Sequence, residues 1–384
     1  MKRYIYIILL ATLSALPAAS YACTSAIIPG WATPDGRPLL WKHRDTGTLD
    51  NRLEHFKGEK YAFVGLVNSP SEGGEVWIGS NTAGFAIMNT ASYCLKDDDV
   101  PACDMDREGF LMYRALEICA TLEDFEHFLD TLSRPMGVEA NFGCIDAFGG
   151  AAYYETDNDG WFKRDVDAMQ EGYCVVTNFS VTGRPEDWKG VERFRTADAV
   201  MARQSRSEGR FDDMSPYFLM DSLSRSYEHQ GDSLFIPRYI TSSSVAVRGV
   251  KEGKSADKSV IYTALGYPDC SVMIPVPVSE EDHIPACLRK GSGTMNCEAC
   301  DFSLSLKYSY IFREGRNGPT DFTHTEELAE CARKAEKRIR RPFERLFDSF
   351  SRGRIDAETY AEKYDRMSEK WMNIIYKKFD TYHK

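Results

Sequence analysis

The position of the first cysteine constrains this chain more than any other feature. Residues 1–22 run from a basic start at Lys2-Arg3, through an apolar stretch from Tyr4 to Leu16, to the small-residue tail Pro17-Ala18-Ala19-Ser20-Tyr21-Ala22, and Cys23 follows at once. That order is the pattern of a secretory signal peptide. A membrane-spanning helix needs about 20 apolar residues, more than this run supplies, and no later stretch is apolar enough to cross a bilayer. The sequence therefore predicts an exported chain, periplasmic or extracellular, without stable membrane insertion. Its first residue is Cys23 if the cut falls after Ala22. A cysteine directly after a leader is also where lipid is attached, and a lipoprotein is the competing reading. Its context argues against it: a lipidation site carries an aliphatic residue three places before the cysteine and a small one two places before, whereas Ser20 and Tyr21 stand there.

The net charge is −11, more negative by two once Lys2 and Arg3 are removed, so nucleic acid is not an expected partner. The chain has eleven cysteines. An odd number in an exported protein asks for one free thiol, and if Cys23 is that one, the other ten can pair. Cys94 and Cys103 flank the acidic loop Leu95–Ala102 and are the pair expected to bond. The connectivity of Cys287, Cys297 and Cys300 does not follow from spacing. Cys297-Glu-Ala-Cys300 lacks a second ligand pair and reads as a structural disulfide region rather than a zinc or redox motif. No metal or organic cofactor is expected.

Along the chain, Thr24–Ile28 reads as a strand, the Pro34-Asp-Gly36 turn follows, and a second strand runs from Pro38 to Asp45. Glu75–Gly79 and Phe85–Asn89 form a hairpin turning at Asn81–Gly84. Glu108–Cys119 is apolar at helical spacing, and Thr121-Leu-Glu-Asp124 is a capping box opening a helix over Leu122–Leu132, which Pro135 stops. Strands return at Phe142–Ala147, Ala151–Glu155, Gly160–Val166 and Tyr173–Asn178. Helices follow at Glu192–Gln204 and Pro216–Ser226, then strands at Ser243–Val250, Val260–Leu265 and Ser271–Val278. From Thr323 onward the chain is charged and helical. The sequence thus predicts an α+β chain with two packed sheets and helices outside.

A cysteine at a chain terminus carries a thiol and an α-amine on one residue. The amine, with an ordinary pKa of about 7.7–8.0, can accept the thiol proton directly or through a water. The thiolate then attacks a carbonyl and an acyl-enzyme forms. No histidine is needed, and none of the seven histidines stands in a recognisable Cys-His motif. The plain alternative is an ordinary cysteine near a cleavage site.

The flanking residues favour the chemical reading. Cys23-Thr-Ser-Ala-Ile-Ile-Pro-Gly30, Thr33-Pro-Asp-Gly36 and Leu40-Trp-Lys-His-Arg-Asp45 are followed in order by Gly79-Ser-Asn-Thr-Ala-Gly-Phe-Ala-Ile-Met-Asn89, Val175-Val-Thr-Asn178 and Glu192-Arg-Phe-Arg195. This series resembles the N-terminal nucleophile cysteine hydrolases, which include the isopenicillin-N acyltransferase-like peptidases and the choloylglycine hydrolases. Thr263-Ala-Leu-Gly-Tyr-Pro268 with Val276-Pro-Val278 resembles the closing strands of the acyltransferase-like branch. The resemblance covers roughly Cys23 to Val278.

It implies a four-layer αββα sandwich with a helical C-terminal extension, divided as a signal peptide 1–22, a hydrolase domain 23–310 and an extension 311–384. Residue by residue, it implies that Cys23 is the nucleophile and that Asp45 holds the terminal amine. Asn89 is then the oxyanion-hole amide, Asn178 a second amide lining the site, and Arg193 an electrostatic support for the terminal residue. Bile-salt hydrolases carry an arginine three places before the acidic residue, where this chain has Lys42. Arg44 lies two places from Lys42 and shares its strand face, so either cation can serve substrate binding. The implied activity is hydrolysis or acyl transfer on a small N-acylated amide or peptide. Bile-salt hydrolase and dipeptidase are the alternatives within the class, and a non-catalytic exported binding protein is the alternative outside it. Monomer and homo-oligomer are both left open.

Overall fold

Alternation along the second strand decides what faces what. In Leu39-Leu-Trp-Lys-His-Arg-Asp45, successive side chains point to opposite sides of the sheet, and both sides are covered, since every residue of the strand is buried. Leu40 joins the apolar cluster between the two sheets, while Leu39 and Trp41 join a separate cluster on the outer side. Lys42 and Arg44 therefore follow Leu40 inward, and His43 follows Trp41 outward.

The computed structural model describes residues 22–96, 98–206, 208–225, 236–254, 259–291 and 297–382. The expected leader, Ala22 apart, lies outside the described residues, as do Ser226, His229 and His383. The chain opens with β1 (Thr24–Ile28) and β2 (Leu39–Asp45). It then lays down β3 (Asn51–Lys57), β4 (Ala62–Asn68), β5 (Ile78–Asn81), β6 (Ala86–Ala91), β7 (Ala140–Ile145), β8 (Ala151–Thr156) and β9 (Trp161–Asp165) as one seven-stranded sheet in sequence order. It returns to the first sheet with β10 (Cys174–Val176), β11 (Thr241–Arg248), β12 (Val260–Leu265) and β13 (Ile274–Pro277). That six-stranded sheet has the order β10-β1-β2-β11-β12-β13. All strand pairs in both sheets are antiparallel.

Helices α1 (Glu108–Ile118) and α2 (Leu122–Thr131) cover the outer face of the larger sheet, where Leu116 and Phe125 pack on Phe63, Phe85, Phe142 and Tyr154. The capping box opens α2 as read from sequence, with Thr121 Oγ1 accepting from the Asp124 N–H at 3.0 Å and Asp124 Oδ2 from the Thr121 N–H at 3.2 Å. Helix α3 (Val191–Gln204) and the short α4 (Pro216–Leu219) cover the outer face of the smaller sheet through Ala197, Met201 and Leu219, packed on Ala26, Ile28 and Trp41. The four layers are thus helix, sheet, sheet, helix. Across the central interface Ser25 Oγ on β1 meets Tyr153 OH on β8 at 2.9 Å.

Helix α5 (Glu298–Leu306) is followed by α6 (Thr325–Ser351), α7 (Ala357–Ser368) and α8 (Trp371–Lys378). Leu328, Ile339, Phe343, Tyr364 and Trp371 from these last helices belong to the same buried cluster as Leu40 and Ile27. Among the described residues no helix is long and apolar enough to cross a membrane.

The expected Cys94–Cys103 bond is not formed, and all eleven cysteines are free thiols. Cys94 is buried, its Sγ accepting from the Ser180 N–H at 3.2 Å, whereas Cys103 is exposed. Cys94 also packs against Gly183, where an added Cβ would lie 2.4 Å from its sulfur. The Cys297–Cys300 region likewise carries no bond. Both sulfurs sit on the backbone of Asn51, Cys297 Sγ 3.4 Å from its carbonyl oxygen and Cys300 Sγ 3.5 Å from its N–H.

A buried ion pair ties α6 to the chain between α4 and β11. Arg225, fully buried, donates to Glu336 Oε1 at 2.8 Å and Oε2 at 3.1 Å, and to the carbonyls of Pro268 and Ser271. Removing one partner of a buried pair costs about 3–5 kcal/mol when the other charge is left alone; Asp221 Oδ1, 3.0 Å from Arg225 Nη1, keeps part of the pairing here, so the lower end applies. Glu336→Ala is expected to lose stability of that order in urea unfolding. Glu330→Ala, which removes exposed pairs with Arg333 and Lys334, should lose at most about 1 kcal/mol. Equal losses would contradict this account of α6.

Candidate active site

Cys23 stands just before β1, and the strand register fixes its neighbours. The Ser25↔Lys42 pairing carried back two residues sets Cys23 opposite Arg44. The Ser25↔Val176 pairing carried on likewise sets Asn178 on its other side. Cys23, Lys42, Arg44, Asp45, Trp77, Asn89, Ala91, Asp106 and Glu108 line one cleft. Five of the seven residues singled out from sequence are thus brought together on its walls. Asn178 and Arg193 are not among the lining residues and stand behind Cys23.

Arg193, near the start of α3, reaches the back of Cys23. Its Nη1 donates to the Cys23 carbonyl at 2.5 Å and to Thr24 Oγ1 at 2.8 Å, and its Nη2 to Asn178 Oδ1 at 2.7 Å. Asn178 Nδ2 in turn donates to the Ala91 carbonyl at 2.8 Å, so this amide links β6 to Arg193. Burial, followed by the charge of Arg238, pushes the Arg193 guanidinium down to about 10. Gly190 caps α3 with φ +75°, and a Cβ there would lie 2.3 Å from Arg193 Nη2. Glycine at this position is what lets the guanidinium lie across the helix start.

Asp45 ends β2 as a fully buried carboxylate. Its Oδ2 accepts from Arg238 Nη2 at 2.6 Å and Nε at 3.0 Å, its Oδ1 from Thr241 Oγ1 at 2.7 Å, and His43 Nε2 lies 3.4 Å from Oδ1. Burial pushes this carboxyl up, but Arg238, His43 and Arg193 together outweigh it and hold the group well below the usual carboxylate range. Arg238 Nη2 also donates to the Ala22 carbonyl at 3.2 Å. The Ala22–Cys23 peptide is therefore gripped beside the Asp45 carboxylate.

Lys42 is buried and its Nζ donates to the Trp77 carbonyl at 2.9 Å and to Asn89 Oδ1 at 2.7 Å. With Oδ1 held, the amide is oriented and Nδ2 remains as its donor to the cleft. Arg44 donates to Asn51 Oδ1 at 2.6 Å and Asn68 Oδ1 at 2.9 Å and lies over the Trp77 ring, 4.8 Å from its centre. The two cations make different contacts. Lys42 holds the Asn89 amide, and Arg44 braces the turn of chain that carries Asn51.

Sequence reading missed Arg238, Thr241, Trp77 and Glu108. Arg238 and Thr241 meet Asp45 across more than 190 residues, a separation that spacing cannot reveal. Glu108 reads as the first residue of an amphipathic helix, and only the packing of α1 shows its carboxyl facing the cleft. Burial pushes that carboxyl up to about 7. Among the described residues no His, Cys, Asp and Glu cluster able to hold a metal ion is present.

No family model matches the chain, and no curated protein sequence is significantly similar to it. Among solved structures it is similar to a Caenorhabditis elegans N-acylethanolamine-hydrolyzing acid amidase ortholog, with TM-score 0.44 and 17% identity over 61% of this chain and 96% of that one. It is also similar to a mutant conjugated bile acid hydrolase from Clostridium perfringens, with TM-score 0.43 and 13% identity over 68% and 93%. Penicillin V acylase from Agrobacterium tumefaciens gives TM-score 0.41 and 12% identity over 66% and 86%. At these scores the likeness is one of outline.

The state of Lys42 is open to a direct check. Burial pushes its ammonium down to about 8 from an ordinary 10.5, while Cys23 and Glu108 partly restore it. Between those values the unfolded chain binds a proton that the folded chain has released, so stability rises with pH through that window. Urea unfolding at pH about 7.5 and about 9.5 should show the wild type gaining on Lys42→Met at the higher pH. A constant difference would place Lys42 at its ordinary value.

Proposed function

We propose that the mature chain is an exported cysteine amide hydrolase that starts at Cys23, after loss of residues 1–22, and works through an acyl-enzyme on that residue. The observation that carries this reading is the shared cleft, where Cys23 lies with an Asn89 amide whose carbonyl is pinned by Lys42. Beside it, Arg238 joins the carbonyl that precedes Cys23 to the Asp45 carboxylate.

Once Cys23 is the terminus, its α-amine takes the Sγ proton and the sulfur adds to the substrate's amide carbon. Asp45, which lines the same cleft as Cys23, supplies the negative charge that favours the resulting ammonium. Negative charge moves to the former carbonyl oxygen, which accepts from Asn89 Nδ2, a donor fixed before the reaction begins. Lys42 and Arg193 add positive charge near the sulfur. The C–N bond then breaks, and the leaving amine takes the proton from the terminal ammonium. Water, giving a proton to the terminal amine, adds to the thioester. The acid departs, the proton returns to sulfur, and the free thiol is restored.

Cys23→Ala is expected to abolish amide turnover while circular dichroism and thermal unfolding stay near wild type. Near-normal turnover would eliminate the mechanism. Loss of one oxyanion donor lowers kcat by about 10²–10³ in comparable sites. Asn89→Ala should show a drop of that size with little change in KM, and an effect confined to KM would contradict the assigned role.

A further inference from the structure

The wall of the cleft holds a carboxylate that nothing in the chemistry above uses. Glu108, at the first position of α1, is only 7% exposed yet lines the same cleft as Cys23. The hydrogen bonds it accepts come from backbone N–H groups, that of Glu139 to Oε1 at 3.2 Å and its own. Among the described residues no cation lies within ion-pair distance of it. Lys42, whose ammonium feels the Glu108 charge from beyond that distance, bonds to Trp77 and Asn89, and Arg44 to Asn51 and Asn68. Asp106, exposed with φ +64°, adds a second carboxylate at the rim.

Burying a carboxylate without a partner is costly, and such groups are ordinarily paired. Here the missing partner has a place to arrive from, since the carboxylate faces a cleft open to ligand. The acyl half of a substrate stays bonded to Cys23 in that cleft after the amine half has left. We infer that Glu108 is the recognition group for a protonated amine on the acyl half of the substrate, so that the chain favours aminoacyl amides such as dipeptides over amides of neutral acids. This rests on the proposed amide hydrolysis, whose substrate class it names.

A binding experiment separates the two claims, because it needs no turnover. Calorimetry with full-length mature Cys23→Ala would compare L-alanyl-L-alanine with N-acetyl-L-alanyl-L-alanine, which differ in the cationic amine. The free amine is expected to bind at least about tenfold more tightly, a ratio that corresponds to about 1.4 kcal/mol. In Cys23→Ala/Glu108→Gln the ratio should fall to near one, and in Cys23→Ala/Glu108→Asp, which keeps the charge, part of it should return. Equal or weaker binding of the free amine to Cys23→Ala, or a ratio that survives Glu108→Gln, would overturn the inference. A free-amine preference in binding, joined to absence of turnover by the wild type, would keep the inference and remove the hydrolase reading instead.

Discussion

The site depends on one buried charge, the Asp45 carboxylate. A carboxylate at the end of a fully buried strand can remain ionised only if positive charge and hydrogen bonds replace water. Arg238 supplies two hydrogen bonds to one oxygen, and Thr241 and His43 meet the other. In the uncut chain the same Arg238 also holds the Ala22 carbonyl beside the Cys23 backbone; a cut after Ala22 removes that bond and leaves Arg238 on Asp45 alone. Arg193 secures the far side of that backbone through the Cys23 carbonyl. On Cys23 itself the contact that a cut after Ala22 leaves in place is that of Arg193, brought by α3 from a distant part of the chain.

Strand β2 explains how one short segment serves both packing and chemistry. Its inward residues pass from Leu40, in the apolar interface, to Lys42 and Arg44 at the cleft. Its outward residues pass from Trp41, under α3 and α4, to His43 and Asp45. The apolar end registers the strand between its neighbours, where a slip of one residue would reverse every side chain. The polar end is thereby placed without any interaction of its own having to set the register. Asn89 reaches the cleft from the facing sheet, so Asn89 and Cys23 belong to different layers. Their spacing is set by how the two sheets pack.

Much of this architecture was legible in the sequence because it is local. The strands at Thr24–Ile28 and Leu39–Asp45, the Thr121–Asp124 capping box and the long C-terminal helices follow from alternation, turn residues and helical spacing. Strand β3, Asn-Arg-Leu-Glu-His-Phe-Lys, carries few apolar residues, and its place is decided by pairing with β4. Cys94 and Cys103 look like a pair when only the loop between them is considered. Packing of Cys94 against Gly183 and Ser180 takes it to the interior instead. Within the site, Cys23 could be found from its place after the leader, and the residues of β2 through the family resemblance of the segments that carry them. Arg238 could not, because it meets Asp45 only when β11 pairs with β2, and Glu108 could not, because it joins the cleft only when α1 packs on the facing sheet.

The account turns on Cys23 being a free chain terminus, and the most direct test is the intact mass and N-terminal peptide map of the protein secreted with its own leader. The account predicts a chain that begins at unmodified Cys23, with the α-amine and thiol both free. A lipid on that cysteine, or a terminus elsewhere that leaves residue 23 in peptide linkage, would contradict it, since the sulfur would then lack either its reactivity or its base.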